Sequence, residues 1–380
     1  MEKMNYQMCT RCIMDTTDPE IEFDEKGVCN HCHEFDTVTS KRWFPNNEGK
    51  KKLDSLVDQI KKEGEGKSYD CILGLSGGLD SSYLALVMKD YGLRPLVVHV
   101  DAGWNTPEAE KNIKTLVDYC GFELHIKTID WEEVKDLQLS YLKAGVANQD
   151  VVQDHAFFAG LYHFAVKNNI RYVIGGGNIA TESIFPSSWH HAAMDAISLK
   201  AIHKKFGTKE LKKFPVISFY QYYFYYPFIK KMTTVRPLNL MPYSKEIALE
   251  RLKEIGYIPY ERKHGESFFT RFFQNHYLPI KFNMDKRKPH LSSLIVSGII
   301  TREHAIKKLQ EPLYDDDDLI KDKQYVATKL GITIEELDEY TNSSSHHYTE
   351  FANWDSRYAI LKKTQSIIGK ILGKNINAYS

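Results

Sequence analysis

The chain has no excess of charge of either sign and no long apolar run. Lysine and arginine together number 50, and so do aspartate and glutamate, which gives a formal net charge of zero. Proteins that bind nucleic acid usually carry a basic excess, so this balance weighs against such a partner. No apolar stretch reaches the length of about eighteen residues that a membrane span needs, and no basic-then-apolar leader opens the chain. We therefore expect a soluble cytoplasmic enzyme of two or three domains.

Cysteine is scarce, but four of the six cysteines lie together near the start of the chain. Cys9 and Cys12 form one Cys-x-x-Cys pair, and Cys29 and Cys32 form a second pair about sixteen residues later. Two such pairs supply four thiolates to a tetrahedral Zn²⁺ ion and leave no position for water, which predicts a zinc ribbon with a structural role. Two alternatives remain open: a set of redox dithiols, and a site in which His31 or a neighbouring histidine replaces one thiolate.

The stretch richest in chemistry is an apolar run that ends in Ser76-Gly77-Gly78-Leu79-Asp80-Ser81-Ser82. An apolar-periodic segment follows, so the order predicts a strand, a phosphate loop and a helix. Gly77 and Gly78 lack a Cβ, which lets backbone N–H groups approach an anion at the positive end of the helix. Hydroxyl donors are added by Ser76, Ser81 and Ser82.

Asp80 is the unexpected member of this loop. A carboxylate beside phosphates is repulsive unless a cation lies between them. We therefore predict a polyphosphate bound together with Mg²⁺, with Asp80 as a magnesium ligand that takes part in catalysis.

The sequence S-G-G-L-D-S-S after a buried strand resembles the signature of the PP-loop ATP pyrophosphatases, which include GMP synthetase, NAD synthetase and asparagine synthetase. The resemblance implies ATP as the cofactor, with its pyrophosphate held by residues 76–82. It also implies that a substrate oxygen attacks the α-phosphate, which gives an adenylylated intermediate and releases pyrophosphate. The alternative is an ordinary turn rich in serine and glycine.

The pattern around the loop predicts an α/β fold with a doubly wound parallel sheet. Apolar runs alternate with helical periodicity, and the predicted strands are 70–75, 95–101, 123–128 and 172–175. We expect a zinc-ribbon module over residues 1–45, a nucleotide-binding domain over 46–240 and a mainly helical C-terminal region over 241–380.

Ligands of such sheets bind beyond the carboxyl ends of the strands, where this chain places several polar residues. Asp101 ends one predicted strand and either meets the metal or the nucleotide or caps the next helix. Gly176, within Gly175–Gly177, lets the backbone approach the nucleotide, and Asn178 resembles the polar residue that PP-loop enzymes place there. His155 precedes the strand 172–175 and is either a site residue or a core histidine.

A second cluster of ionisable groups lies among aromatic residues after position 260. It begins with Lys263, His264 and Glu266 and continues through Thr270-Arg271-Phe272-Phe273-Gln274. Basic groups of this kind hold phosphates or a sugar carboxylate, and Glu266 or His264 is suited to removing a proton from attacking ammonia. The alternative is a network of salt bridges.

In their order, K-H-x-E-S, T-R-F-F-Q, Y-L-P and D-K-R-x-x-H-L-S-S resemble the N-acetyl sugar amidotransferases of bacterial surface-polysaccharide synthesis. The resemblance covers nearly the whole chain. It implies conversion of an acetamido group to an acetamidino group on a UDP-linked sugar, within lipopolysaccharide and O-antigen synthesis. Lys263, His264 and Glu266 would then position the sugar or move protons.

Ammonia has to be supplied from outside, since no G-x-C-x-G elbow surrounds any cysteine. The family resemblance implies a separate glutaminase and an ammonia-channel subunit, and a homo-oligomer is compatible with the sequence. The rival hypothesis is a PP-loop sulfur transferase acting on tRNA or a small molecule. Such an enzyme is expected to place a cysteine near the loop, which neither Cys71 nor Cys120 is predicted to do.

Overall fold

The computed structural model describes residues 6–260 and 265–372, and its centre is a parallel five-stranded sheet in the order β3-β2-β1-β4-β5. The strands are β1 (Cys71–Gly74), β2 (Pro95–Asp101), β3 (Glu123–Thr128), β4 (Tyr172–Ile174) and β5 (Thr233–Val235). The four predicted strands are confirmed. β5 was not predicted, because its three residues carry too little pattern of their own.

Helices account for most of the remaining described residues. Up to the end of the sheet they are α1 (Asn30–Glu34), α2 (Asn47–Gly64), α3 (Leu79–Asp90), α4 (Pro107–Cys120), α5 (Trp131–Ala144), α6 (Val151–Lys167), α7 (Ile179–Glu182) and α8 (Ala196–Phe206). After it they are α9 (Lys245–Lys253), α10 (Phe268–Phe272), α11 (Leu278–Phe282), α12 (Arg287–Val296), α13 (Arg302–Leu309), α14 (Asp316–Leu330), α15 (Ile334–Asn342) and α16 (Asp355–Leu372).

Helices cover both faces of the sheet. β1 is buried along its whole length, as expected of a central parallel strand. The apolar residues of α2, α3, α4 and α9 pack against one face. Those of α5, α6 and α8 pack against the other. The α/β, doubly wound prediction is therefore confirmed.

The C-terminal region is helical, as predicted, and packs against Trp104, which lies between β2 and α4. Phe269 and Phe272 of α10 share one buried cluster with Trp104, Val326 of α14 and Leu337 of α15. This packing holds the segment before α10 close to the carboxyl ends of the strands. The domain boundaries at residues 45 and 240 stay a prediction. Among the described residues, no helix has both the length and the apolar character that crossing a bilayer requires.

Candidate active site

The phosphate loop follows β1, and its serine side chains brace it. The Gly78 N–H donates to Ser76 Oγ at 3.2 Å, and Ser81 Oγ donates to the Gly78 carbonyl oxygen at the same distance. Gly77 has a φ of +81°, in the left-handed region that favours glycine. Ser82 is fully buried one residue further into α3. The loop therefore turns tightly in front of the first turn of α3, where the helix dipole favours an anion.

The two glycines have neighbours that leave no space for a side chain. A Cβ built on Gly77 would lie 2.7 Å from the carbonyl oxygen of Ala109 in α4. A Cβ built on Gly78 would lie 2.8 Å from Oε1 of Glu266 and 3.2 Å from Oγ of Ser76. Glycine at position 77 is therefore required by backbone conformation and contact, whereas at position 78 it makes room for a carboxylate from the C-terminal region.

Glu266 reaches the loop because its backbone pairs with the segment before α4. The Thr106 N–H donates to the Glu266 carbonyl oxygen at 2.9 Å, and the Phe268 N–H donates to the Trp104 carbonyl oxygen at 3.0 Å. The structure thus brings two sequence-predicted site regions together. Lys263 and His264, predicted beside Glu266, lie outside the described residues.

Asp80 lies in the first turn of α3, facing the carboxyl end of β4. Asn178 Nδ2 donates to Asp80 Oδ2 at 3.3 Å, and the Tyr243 hydroxyl donates to Oδ1. Burial and the nearby Asp80 charge raise the pKa of Tyr243 well above its usual value, so its hydroxyl remains a donor. A Cβ on Gly176 would lie 3.6 Å from that of Asp80. Asp80, Gly176 and Asn178 therefore meet at one point, as the parallel fold predicted.

Asp101 lies at the end of β2, but it does not cap the following helix. Its Oδ1 accepts from the Gly103 N–H at 2.7 Å and from Asn105 Nδ2 at 3.2 Å. Thr106 is the residue that caps α4, since its Oγ1 accepts from the Ala109 N–H. Asp101 therefore stabilises the turn at residues 103–105, next to the segment that pairs with Glu266. Its direct role toward the nucleotide or the metal stays a prediction.

His99 contacts the residue that precedes the loop. It was not identified as a site residue from the sequence. Its Nδ1 lies 2.8 Å from the carbonyl oxygen of Leu75, and its Nε2 lies 2.8 Å from Asn105 Nδ2. Because a carbonyl only accepts, Nδ1 is the donor to Leu75, and Nε2 accepts from the Asn105 amide. The available signal in the sequence was a histidine inside an otherwise apolar run, because a polar group buried in a central strand needs hydrogen-bond partners.

Two tyrosines and an arginine also reach the site from parts of the sequence that were not singled out. The hydroxyls of Tyr257 and Tyr260 donate to the Gly77 carbonyl oxygen at 3.2 and 3.1 Å. Arg236 follows β5, is exposed, and has its Nε 3.8 Å from the position of a Cβ on Gly177. In the described part of the chain, its guanidinium has no hydrogen-bond or ion-pair partner. Among the described residues, Arg236 is therefore a cation placed to meet an anionic ligand at the ends of β4 and β5.

A buried polar network lies behind Glu266. Ser267 Oγ donates to Gln153 Oε1 at 3.1 Å, and Gln153 Nε2 donates to Asp150 Oδ1 at 3.2 Å. Thr270 Oγ1 donates to the same carboxylate oxygen at 3.0 Å. This network joins the start of α6 to α10 and fixes the segment that carries Glu266.

The basic residues of the second cluster have mainly structural partners. Arg271 forms a two-pronged ion pair with Asp322 of α14, in which Nε lies 2.5 Å from Oδ2. Arg287 pairs with Asp285 at 2.8 Å. For these arginines the salt-bridge alternative describes the contacts. Among the described members of the cluster, Glu266 is the one that lies at the loop after β1.

His155 belongs to the core. Its Nδ1 donates to the carbonyl oxygen of Ala193 at 2.8 Å, and its Nε2 accepts from the Ile217 N–H at 3.1 Å. Burial lowers the pKa of His155 to about 4. The ring is therefore neutral near pH 7 and has both nitrogens engaged.

The four cysteines of the two Cys-x-x-Cys pairs converge on one point. All four Sγ atoms lie within 4.8 Å of one another, with 3.9 Å between Cys9 and Cys32 and 3.6 Å between Cys12 and Cys29. A tetrahedral Zn²⁺ ion with Zn–S bonds of about 2.3 Å requires sulfur separations of about 3.8 Å. The donor set therefore fits a closed, four-thiolate metal site.

The neighbouring histidines have other partners. His31 Nε2 lies 2.7 Å from Asp18 Oδ2, and His33 Nε2 lies 3.0 Å from Asp24 Oδ2. The alternative of a Cys₃His site is therefore not what the side-chain positions favour.

The cysteine module is docked on the C-terminal region. Arg302 of α13 donates to the carbonyl oxygens of Cys9 and Cys12, both at 2.9 Å. Lys288 of α12 forms an ion pair with the buried Asp15 at 2.5 Å. The module thus anchors the helices that follow Glu266, as a structural metal site would.

The two remaining cysteines are poorly suited to chemistry at the loop. Cys71 is buried within β1, where burial raises the pKa of its thiol well above the usual value. Burial likewise raises the pKa of Cys120 to about 11. Neither thiol is activated as a nucleophile.

Comparison with known proteins gives a match to a family model and a match to a curated relative. Residues 266–365 match the family described as "LPS biosynthesis protein WbpG-like, C-terminal domain". The curated relative is the uncharacterized protein MJ1599 of Methanocaldococcus jannaschii, 33% identical over 129 residues. That match covers 33% of this chain and 44% of the relative, so the chain spans less than half of that protein's length.

Solved structures with partial similarity include two synthetases. The NH3-dependent NAD synthetase of Campylobacter jejuni is 17% identical with a TM-score of 0.28, over 41% of this chain and 72% of the other. The NMN synthetase of Francisella tularensis is 13% identical with a TM-score of 0.34, over 78% of this chain and 87% of the other. The fold assignment comes from the strand order and the helix layers, not from these similarities.

Proposed function

We propose that this protein is an ATP-dependent amidotransferase that converts the acetamido group of a nucleotide-linked N-acetyl sugar to an acetamidino group, in lipopolysaccharide synthesis. The observation that carries the proposal is the position of Glu266 against Gly78. Glu266 is the first residue of the segment similar to a lipopolysaccharide-biosynthesis family. The part of the chain with that resemblance therefore contributes a carboxylate to the phosphate loop, as coupling of sugar chemistry to ATP cleavage requires.

The loop fits a polyphosphate. Gly78 directly precedes α3, so the first-turn N–H groups of this helix face the loop, where they can donate to an anion. Ser76 and Ser81 offer hydroxyls, and Arg236 is placed to add a positive charge from the end of β5. Asp80 would hold Mg²⁺, since carboxylate oxygens are the protein ligands that this ion takes beside phosphates. When bound, Mg²⁺ neutralises charge that develops on the leaving pyrophosphate.

Adenylylation of the amide oxygen would overcome the low reactivity of an amide toward ammonia. The acetamido oxygen attacks the α-phosphate of ATP, the bond between the α- and β-phosphates breaks, and pyrophosphate leaves. The carbon now bears an O-adenylyl group in place of a carbonyl oxygen. Ammonia adds to that carbon, a proton passes from nitrogen to a base, and the C–O bond breaks to release AMP and leave the amidine.

Glu266 is the base we assign to the ammonia step. It lies beside the loop that would hold the phosphates, so its carboxylate would face a nucleophile that attacks next to the α-phosphate. Lys263 and His264 remain proposed partners for positioning the sugar or moving protons.

The remaining parts of the proposal concern its surroundings. The four-cysteine module holds structural Zn²⁺. Ammonia comes from a separate glutaminase, through a channel-forming subunit, and the enzyme works in the cytoplasm without a nucleic-acid partner.

The test is to incubate the purified chain with ATP, Mg²⁺, ammonium chloride and UDP-linked diacetamido sugars. We expect AMP rather than ADP, and a sugar product lighter by about one mass unit because NH replaces O. Formation of ADP would refute the proposal. AMP release that requires RNA and a sulfur donor would instead support the sulfur transferase, which the raised thiol pKa values of Cys71 and Cys120 disfavour.

A further inference from the structure

One edge of the sheet is open to solvent. β3 pairs with β2 on one side and is the terminal strand on the other. Five of its six residues are exposed, and Ile126 is exposed to 59%. A regular edge strand of this length presents unpaired N–H and C=O groups to any other strand that can align with it.

The opposite edge of the sheet, formed by β5, is blocked, whereas the edge formed by β3 is not. β5 has only three residues, and Pro237 follows it after one further position. Short strands and prolines are common means of blocking an edge. β3 contains no proline, and none of its residues has a positive φ that would mark a bulge. Its charged residues, Glu123 and Lys127, are the features that determine what it can pair with.

The sequence of β3 is complementary to itself in one antiparallel register. If a two-fold axis passes through His125, Glu123 lies opposite Lys127 of a second copy, and Leu124 lies opposite its Ile126. Both charges of each chain then have an opposite partner. Glu123 keeps acceptor capacity for this pairing beyond its bond from the Tyr69 hydroxyl.

The two faces of β3 support the same register. On the face toward α6, the ring of His125 packs on Phe164 with 4.5 Å between centroids, and Lys127 lies beside Gly160. On the other face, pairing would cover the exposed Ile126 with an apolar side chain. Charge is therefore matched on one face and apolar surface is buried on the other.

We propose that the protein forms a homodimer through antiparallel pairing of β3 with β3 of a second copy, which joins two sheets into one of ten strands. The two-fold axis reverses strand direction, so the phosphate loops lie at opposite edges of the joined sheet. Each site is then complete within one chain, and turnover per chain does not depend on the dimer. This inference does not rest on the proposed function.

The test is sedimentation velocity of the full chain from about 1 to about 200 μM. We expect a monomer–dimer equilibrium in the wild type. Lys127→Glu and Glu123→Lys each place like charges opposite each other, so each should weaken dimerisation about tenfold or more. The double swap restores both pairs and should restore dimerisation, whereas Lys62→Glu, on the exposed face of α2, should have no effect.

Far-UV circular dichroism of each variant separates a lost dimer from a lost fold. A wild type that stays monomeric throughout this range overturns the proposal. Single swaps that dimerise like the wild type overturn it as well, since another surface would then form the dimer. Dissociation by both single swaps without recovery in the double swap overturns the proposed register.

Discussion

Replacing Gly78 with alanine tests whether Glu266 and the phosphate loop act together. Gly78 has a φ of −72°, which alanine adopts without strain, so the free energy of unfolding should change by less than about 1 kcal/mol. The new Cβ, however, would lie 2.8 Å from Glu266 Oε1. The carboxylate must therefore move, and misplacement of a catalytic group by about 1 Å can lower the rate roughly 100-fold. We expect AMP formation to fall by about that factor while the fold remains stable.

Gly77→Ala is the matched comparison. Its φ of +81° disfavours alanine by about 1–2 kcal/mol, and its Cβ would lie 2.7 Å from a backbone oxygen that cannot move freely. We expect urea denaturation to report a clear loss of stability for Gly77→Ala and almost none for Gly78→Ala.

A double variant tests whether the effect of Gly78→Ala on the rate acts through Glu266. If the defect of Gly78→Ala acts through Glu266, it should nearly vanish in a Glu266→Ala background, because both changes then remove the same interaction. Assays of AMP release by chromatography give the four rates. Full activity of Gly78→Ala, or additive effects in the double variant, would show that the contact between position 78 and Glu266 has no catalytic role.

Three further predictions concern the base, the metal and the core histidine. Glu266→Gln keeps the shape of the side chain but removes the proton acceptor. We expect kcat for ammonia-dependent AMP formation to fall about 100-fold, with little change in the KM for ATP. An unchanged kcat would exclude Glu266 as the base. Metal analysis should find one zinc per chain. Cys29→Ser should remove the zinc and lower the free energy of unfolding by roughly 3 kcal/mol or more. Equal stability without zinc would contradict a structural role. The folded pKa of His155 is about 4, below the unfolded value, so the unfolded chain binds the extra proton and stability should fall by roughly 2 kcal/mol between pH 6.5 and 5. His155→Gln should flatten this dependence in urea titrations, the exposed His347→Gln should not, and equal pH slopes in all three proteins would refute the assignment.

Local sequence was sufficient for features whose residues are close together in the chain. The loop from Ser76 to Ser82 and the two Cys-x-x-Cys pairs carry their chemistry in their spacing, and the apolar runs of β1 to β4 are long enough to be recognised. The ends of α4 carry local signals as well, because Pro107 is its first residue and Gly121 follows its last. Of the two loop glycines, Gly77 adopts the left-handed conformation that glycine allows, with a φ of +81°, whereas Gly78 has a φ of −72°.

Residues that come from distant segments were harder to predict. β5 becomes a strand through its pairing with β4, so its three residues gave no signal and Arg236 had no place in the predicted site. Tyr243, Tyr257 and Tyr260 resemble any other tyrosines in the sequence, and only packing places their hydroxyls at Asp80 and Gly77.

By itself the sequence determined that this chain has a glycine-rich loop between a strand of a parallel sheet and a helix, and a cluster of four thiols, because both depend on backbone conformations and spacings set within a few residues. Only the tertiary structure decided that Glu266 lies against Gly78 and that Arg271 is held by Asp322 instead of facing a ligand. Those outcomes depend on how the helices of the C-terminal region pack on Trp104 and the strand ends. The buried surfaces that fix this packing are shared between segments far apart in the chain, and no local pattern specifies which surfaces meet.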